Sequence, residues 1–249
     1  VPQIVPHSTN ASITKKGSAW VFRTAVSERF YASVHAKYLA ENVGKKVAYL
    51  FTTDGAGIGF AKDYISFMRS TYNVEPAYET QMQETDLDFR SHLLKIKSLN
   101  PDVLAIGGQS DAIARITQQS YEVGIPARVR RVAASAASNA PVPELAGDAA
   151  KGLTFAAAFT CKDERPIAQA FVKMVQEKYK IRCPDHDFSQ AYETAQLIKL
   201  ALGRAALGLT EATLKADRTA IRDALASIKD YNGLLRPDQL LRRSDAAMP

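Results

Sequence analysis

The sequence predicts an α/β protein built on a doubly wound parallel sheet. Three observations indicate this class. Short apolar segments alternate with segments of helical periodicity through the first half of the chain, as in βαβ units. Residues 103–106 are apolar throughout, which is typical of a strand covered on both faces. Glycine and polar residues follow several of these strands, where open α/β sheets bind their ligands.

Composition and charge exclude several classes of protein. The chain has 249 residues, of which 46% are hydrophobic and 23% charged, so it is neither disordered nor collagen-like. The formal net charge of +6 is spread out, and its densest cluster, Arg128, Arg130 and Arg131, has no interleaved aromatic residues for base stacking. We therefore expect no nucleic-acid partner. Charged residues interrupt every apolar segment before it reaches the ~20 residues of a spanning helix, so we expect no membrane insertion.

The first quarter of the chain predicts short strands before a long helix. Asn10 or Ser12 is expected to cap a short helix, and Ser27 a long one. The predicted elements are, in order, a strand at residues 3–5, the short helix, an extended segment at 19–25 and a helix to about residue 42.

A regular alternation of strands and helices follows. Residues 55–59 are predicted to form a turn, and Asp86 or Asp88 to cap the helix that Asn100 and Pro101 end. The predicted strands are 46–52, 76–80, 103–106, 129–133 and 153–157, and the predicted helices between them are 60–72, 89–99 and 111–123.

The second half predicts helices at residues 165–180, 187–207 and 213–228, without clear strands between them. Gln190, Leu197 and Ile198 belong to a wide apolar stripe on the second of these helices. Helices of this kind must bury their apolar faces on something else. A partner sheet for them is not evident in the sequence.

Catalytic and cofactor motifs are not evident. The glycines of residues 55–59 lack the dinucleotide-binding spacing and the Lys-Ser/Thr pair of a P-loop, although backbone N–H groups there could hold a carboxylate. His35 and His92 fall within predicted helices, and no Gly-x-Ser-x-Gly elbow occurs. We predict a non-enzymatic protein with no cofactor and no metal site.

The two cysteines leave two interpretations open. Cys161 and Cys183 bracket a predicted helix and lie in turn-like surroundings, so they could meet at the ends of neighbouring elements. A disulfide would then indicate an oxidising compartment. Two unrelated thiols explain the sequence equally well.

Several sequence segments resemble those of type I periplasmic solute-binding proteins of the leucine/isoleucine/valine-binding family, which serve branched-chain amino acid ABC transporters. The likeness extends over nearly the whole chain to about Leu235. It is carried by residues 1–10, Gly17 with 21–24, 45–57, 85–89, 94–104, Gly107 with Gly108, and 189–192.

The resemblance implies a type I periplasmic-binding-protein-like fold, in which two doubly wound parallel-sheet lobes are joined by hinge crossings. Residues 1–23 and 158–230 are then assigned to the first lobe, and 24–157 and 231–249 to the second. The first lobe would be incomplete, lacking its N-terminal part. The sequence opens on Val-Pro-Gln rather than on Met, so either a leader was removed or the chain begins inside a longer protein.

The resemblance also implies a ligand site in loops of both lobes. The residues implied are His7, Ser8 and Thr9 in the first lobe, Ala56, Gln109 and Ser135 in the second, and Tyr192 on the returning helix. Ser135 stands where amino-acid binders carry an acid for the ligand ammonium group, so Asp54 or Asp111 would have to replace it. An amide or an organic or aromatic acid is therefore as consistent a ligand as an amino acid.

On this resemblance the chain is expected to be periplasmic or extracellular, and to deliver a small polar ligand to the permease of an ABC importer. One alternative keeps the fold but makes it the sensing domain of a receptor or of an amide-responsive regulator. A second alternative is an α/β enzyme that uses the turn at residues 55–59.

Overall fold

A computed structural model describes residues 1–229 and 231–235 of the chain. The chain forms two compact units. The first unit contains Val1–Val26 and the described residues from Ala158 onward, and the second unit is Ser27–Ala157. Each unit has apolar clusters of its own.

The elements agree closely with the predicted order. The strands are β1 Gln3–Val5, β2 Val21–Arg23, β3 Val47–Thr52, β4 Tyr78–Met82, β5 Val103–Gly107, β6 Arg130–Ala133 and β7 Thr154–Phe155. The helices are α1 Ser12–Lys15, α2 Glu28–Asn42, α3 Gly55–Tyr72, α4 Arg90–Leu99, α5 Ser110–Glu122, α6 Pro141–Ala146, α7 Pro166–Tyr179, α8 His186–Arg204 and α9 Leu214–Ser227.

The second unit is a five-stranded, fully parallel sheet in the order β4-β3-β5-β6-β7. Every residue of β3 and β5 is buried, as expected for strands covered on both faces. The apolar segment at residues 103–106 therefore lies in the middle of the sheet, and the predicted α/β class is confirmed.

The predicted turn at residues 55–59 is wrong, because α3 already begins at Gly55. Asp54 caps the helix, and its Oδ1 accepts hydrogen bonds from the N–H groups of Ala56 at 2.7 Å and Gly57 at 3.1 Å. A Cβ at position 57 would overlap the carbonyl oxygen of Thr52. Gly57 therefore allows the helix to start directly against the end of β3.

A histidine is buried in the core of the second unit. His35 of α2 is 3% exposed, and its ring lies 6.5 Å from that of Phe60 and 6.2 Å from that of Tyr64. Neither ring nitrogen has a hydrogen-bond partner among the described residues. Burial lowers the pKa of His35 to about 4, so the imidazole is neutral in the folded protein at neutral pH.

The first unit packs helices around a two-stranded parallel sheet of β1 and β2. Phe22 of β2 forms one apolar cluster with residues of α8 and α9, including Ala201 and Leu225. The predicted apolar stripe of α8 is only partly correct. Leu197 is fully buried, whereas Ile198 is 39% exposed. The buried face of α8 consists mainly of polar residues, among them Ser189, Gln190 and Glu193.

Residues 231–235 belong to the first unit. Leu234 and Leu235 are buried in a cluster with Phe159 and Phe171. Residues 231–235, which the resemblance assigned to the second lobe, therefore pack within the first unit. Residues 236–249 lie outside the described part of the chain.

A disulfide joins Cys161 and Cys183, with their Cα atoms 5.8 Å apart. The bond ties the loop before α7 to the loop after it, next to the cap of α8. Of the two interpretations left open by the sequence, the structure contains the paired cysteines. The disulfide closes a segment in which α7 is the only helix.

Candidate ligand-binding site

Three neighbouring strands of the second unit bring the predicted site residues to one edge of the sheet. β3, β5 and β6 are parallel and adjacent, so the residues that follow Thr52, Gly107 and Ala133 lie at the same carboxyl edge. The loop after β5 also contacts the loop after β6, because the Ser110 hydroxyl donates to the carbonyl oxygen of Ala136 at 3.0 Å. Asp54, Ala56, Gln109 and Ser135 all belong to this edge.

The Asp54 carboxylate is already engaged within the protein. Its Oδ2 accepts a hydrogen bond from the Thr52 hydroxyl, while Oδ1 holds the first N–H groups of α3. The sequence suggested that backbone N–H groups in this segment could bind a ligand carboxylate. The N–H groups of Ala56 and Gly57 instead donate to the protein's own Asp54 side chain. Asp54 maintains the shape of the loop at this edge.

Gln109 and Ser135 differ in exposure. Gln109 is exposed at the start of α5, and no side-chain hydrogen bond caps that helix. Ser135 is 4% exposed and begins a 3-10 turn at residues 135–138 after β6. The uncapped first turn of α5 carries the positive end of a helix dipole, which favours a negatively charged or hydrogen-bond-accepting group beside it.

In the first unit, the predicted residues His7, Ser8 and Thr9 form the loop after β1. His7 and Ser8 are exposed, whereas Thr9 is 8% exposed. Arg23 fixes this loop, since its Nη1 donates to the carbonyl oxygens of Thr9 at 2.8 Å and Asn10 at 3.0 Å. The loop is therefore held by a buried guanidinium and not by secondary structure.

Sequence reasoning missed a polar cluster at the start of α8. Asp187 Oδ1 lies 3.3 Å from His7 Nδ1 and 3.0 Å from Nε2 of the buried His186. Asp185 caps the helix by accepting from the N–H of Phe188 at 2.8 Å. The pattern Asp-His-Asp before an apolar helix indicates an N-terminus, but nothing in it predicts that a loop 180 residues earlier would contact Asp187.

Tyr192 packs within the first unit. Its ring lies 4.8 Å from the ring of Phe171 on α7, and its side chain is half-buried. Two residues further along α8, the Thr194 hydroxyl lies 2.6 Å from the hydroxyl of Thr24, which follows β2. Tyr192 lies on the same helix as Asp187, which contacts His7, while the other predicted site residues belong to the second unit.

Within residues 1–229 and 231–235, no group of three or more His, Cys, Asp and Glu side chains is arranged to hold a metal ion. None of the helices in this described part of the chain is both long and apolar enough to cross a membrane.

Comparison with known proteins identifies the family. The sequence pattern of the family described as "Periplasmic binding protein" matches residues 1–248. The chain belongs to the periplasmic binding protein family. The resemblance inferred from the residues is thereby confirmed, and the βαβ sheet and carboxyl-edge loops described above are those of a periplasmic binding protein.

Individual relatives and solved structures support the same family assignment. Leu/Ile/Val-binding protein homolog 3 of Brucella melitensis is 27% identical over 209 residues, which cover 82% of this chain and 54% of that protein. The crystal structure of a leucine binding protein from Thermotoga maritima superposes with a TM-score of 0.83 at 25% identity, covering 94% of this chain and 64% of the other. A solute binding protein from R. palustris, solved in complex with benzoate, gives a TM-score of 0.79 at 19% identity, covering 97% and 63%.

This periplasmic binding protein chain spans about half the length of the Brucella relative. The relatives named above are binding proteins and not enzymes, in agreement with the prediction of a non-enzymatic protein. At 19% identity, the benzoate complex supports the fold alone.

Proposed function

We propose that this protein binds a small polar solute outside the cytoplasm and delivers it to the permease of an ABC importer. The observation that carries the proposal is the family match over residues 1–248, which includes every predicted ligand-binding residue. Because the chain spans about half of a curated relative, solute binding by this chain alone is part of the proposal.

We assign the first unit to the first lobe and the second unit to the second lobe. In this mechanism the ligand contacts residues of both lobes and shifts the equilibrium between open and closed forms by its different affinity for the two. His7, Ser8, Thr9 and Tyr192 would contribute from the first lobe. Ala56, Gln109 and Ser135 would contribute from the second.

The proposed ligand is an amino acid or a related amide, organic acid or aromatic acid. The uncapped first turn of α5 suits a carboxylate or a carbonyl oxygen. A buried α-ammonium group needs a carboxylate partner, and Asp54 already has its two oxygens hydrogen-bonded within the protein. Asp111, the other carboxylate considered, is exposed in the first turn of α5, so amino acids stay as consistent with the site as amides and acids.

A thermal-shift panel tests solute binding. The chain would be melted with branched and aromatic amino acids, short amides, and aliphatic and aromatic acids, each at millimolar concentration. A ligand present at about one hundred times its Kd stabilises by roughly 2.7 kcal/mol, which gives a clear rise in Tm. A flat response to the whole panel would contradict solute binding by this chain.

Delivery to an importer needs a separate test. The ligand-loaded protein is expected to stimulate ATP hydrolysis by a reconstituted ABC importer that transports the same ligand. Stimulation that does not depend on the ligand, or no stimulation, would contradict this part of the proposal. Binding without stimulation would favour the sensing role instead.

A further inference from the structure

The first unit contains a cavity of about 230 Å³ between α7, α8 and the segment at residues 231–235. Its walls include the aromatic rings of Phe171, Tyr192 and Tyr231 and the thioether of Met174. One charged side chain, Glu193, also lines it. All of these residues belong to the first unit, and Tyr192 is also among the residues proposed for the solute site.

The aromatic residues of the cavity lie close to one another and to Glu193. The rings of Phe171 and Tyr192 are 4.8 Å apart at an interplanar angle of 44°. Burial, together with the charges of Glu193 and Tyr192, raises the pKa of Tyr231 to about 12. The Tyr231 hydroxyl therefore lies within the electrostatic influence of both neighbours.

Glu193 is 1% exposed and makes no salt bridge with the described residues. One carboxylate oxygen, Oε2, accepts a hydrogen bond from the N–H of Leu234 at 3.0 Å, while Oε1 has no partner in the described chain. The Arg165 guanidinium, which interacts with it at longer range, is bound to Asp163 at 2.7 Å. Burial raises the pKa of Glu193, and the N–H groups of Leu234 and Leu235 together with Arg165 offset this only in part. The cavity thus adjoins a buried carboxyl group whose negative charge would be stabilised by a cation.

We infer that this cavity binds a quaternary ammonium group, or another fully methylated amine, against its aromatic faces and beside the Glu193 carboxylate. Aromatic faces attract such cations, and a nearby negative charge adds to the attraction. Both oxygens of Glu193 are shielded from solvent, so a primary ammonium could not form the hydrogen bonds it requires. A methylated cation needs no hydrogen bonds, and this distinguishes the two classes of amine.

The probes are choline and its neutral carbon analogue 3,3-dimethylbutan-1-ol, which has the same shape without the charge. With methyl-labelled methionine, the NMR signal of Met174 reports on the cavity, while Met68 and Met82 of the second unit serve as internal controls. We expect choline to shift the Met174 signal saturably, with an affinity about tenfold higher than that of the alcohol. Equal responses to the two compounds, or no shift of Met174, would overturn the inference.

A pair of variants tests the aromatic wall. Tyr231→Leu removes a ring and is expected to weaken choline binding by about fivefold or more, whereas Tyr231→Phe keeps the ring and should bind nearly as well as the wild type. If Tyr231→Leu fails to fold, Glu193→Gln provides the second test, since it removes the charge and keeps an acceptor for Leu234. Choline affinity unchanged in Glu193→Gln would refute the role of the carboxylate.

Discussion

Glu193 and Leu234 are joined by a hydrogen bond of 3.0 Å from the Leu234 N–H to the carboxylate. The carbonyl oxygen of Leu234 in turn accepts from Arg165 Nη2 at 2.6 Å. Both backbone polar groups of one buried residue are therefore bound by side chains, one from α8 and one from the residue before α7. These two bonds provide partners for the backbone N–H and C=O groups of Leu234, whose segment pairs with no strand in the described residues.

The close approach of this segment to Glu193 requires a glycine. A Cβ at position 233 would overlap Glu193 Oε1, so Gly233→Ala is expected to destabilise the first unit by about 2 kcal/mol. Denaturant unfolding followed by the fluorescence of Trp20, the one tryptophan in the sequence, measures the first unit.

Gly203→Ala is the matched control, because an added Cβ there meets nothing within 4 Å inside α8. It should be neutral or stabilise by up to about 1 kcal/mol. Equal destabilisation by the two variants would contradict the steric explanation for Gly233.

The strands and helices of the second unit were predicted well, because short patterns of neighbouring residues determine them. The apolar residues 103–106 indicate a buried strand directly, and Asn100 followed by Pro101 marks the end of α4. The start of α3 was missed because Asp54 caps it while the glycines suggested a turn. The contacts of Asp187 and Glu193 could not be predicted, since their partners lie far away in the sequence and no local pattern encodes them.

The stability of the second unit is expected to fall in mild acid because of His35. In the unfolded chain this residue has its ordinary pKa of 6.5, whereas burial lowers it to about 4 in the folded protein. Between these values the unfolded chain binds a proton that the folded chain does not. The stabilisation is therefore complete above pH 6.5 and is lost as the pH falls toward 4, by about 3 kcal/mol.

Hydrogen exchange of the β3 amides between pH 7 and pH 4 measures this loss. His35→Phe should remove most of the His35 contribution, while His92→Gln, outside the core, should leave it in place. A wild-type pH response that persists in His35→Phe would show that another group is responsible.

Asp54 is expected to act as a helix cap. Asp54→Ala should lower the stability of the second unit by about 1 kcal/mol, because the N–H groups of Ala56 and Gly57 lose their acceptor. Ser27→Ala is a suitable control, since Ser27 occupies the cap position of α2 without a side-chain hydrogen bond and should cost almost nothing. Thermal unfolding followed by circular dichroism compares them, and equal effects would contradict the assigned role.

The disulfide is expected to stabilise the first unit. Cys161 and Cys183 are 22 residues apart, and closing a loop of that length in the unfolded chain is worth about 3 kcal/mol. Replacing both with serine should therefore lower the free energy of unfolding reported by Trp20. Stability that does not change, in the variant or under reducing conditions, would indicate that the bond does not constrain the unfolded chain.

Binding of a ligand at the carboxyl edge of the second unit is the central claim, and isothermal titration calorimetry tests it most directly. The strongest compound from the thermal-shift panel would be titrated into the wild type, Gln109→Ala and Gln118→Ala, the last altering an exposed glutamine further along the same helix. We predict one-to-one binding that Gln109→Ala weakens about tenfold and Gln118→Ala leaves unchanged. No measurable binding to the wild type, or equal affinity in all three proteins, would contradict the claim.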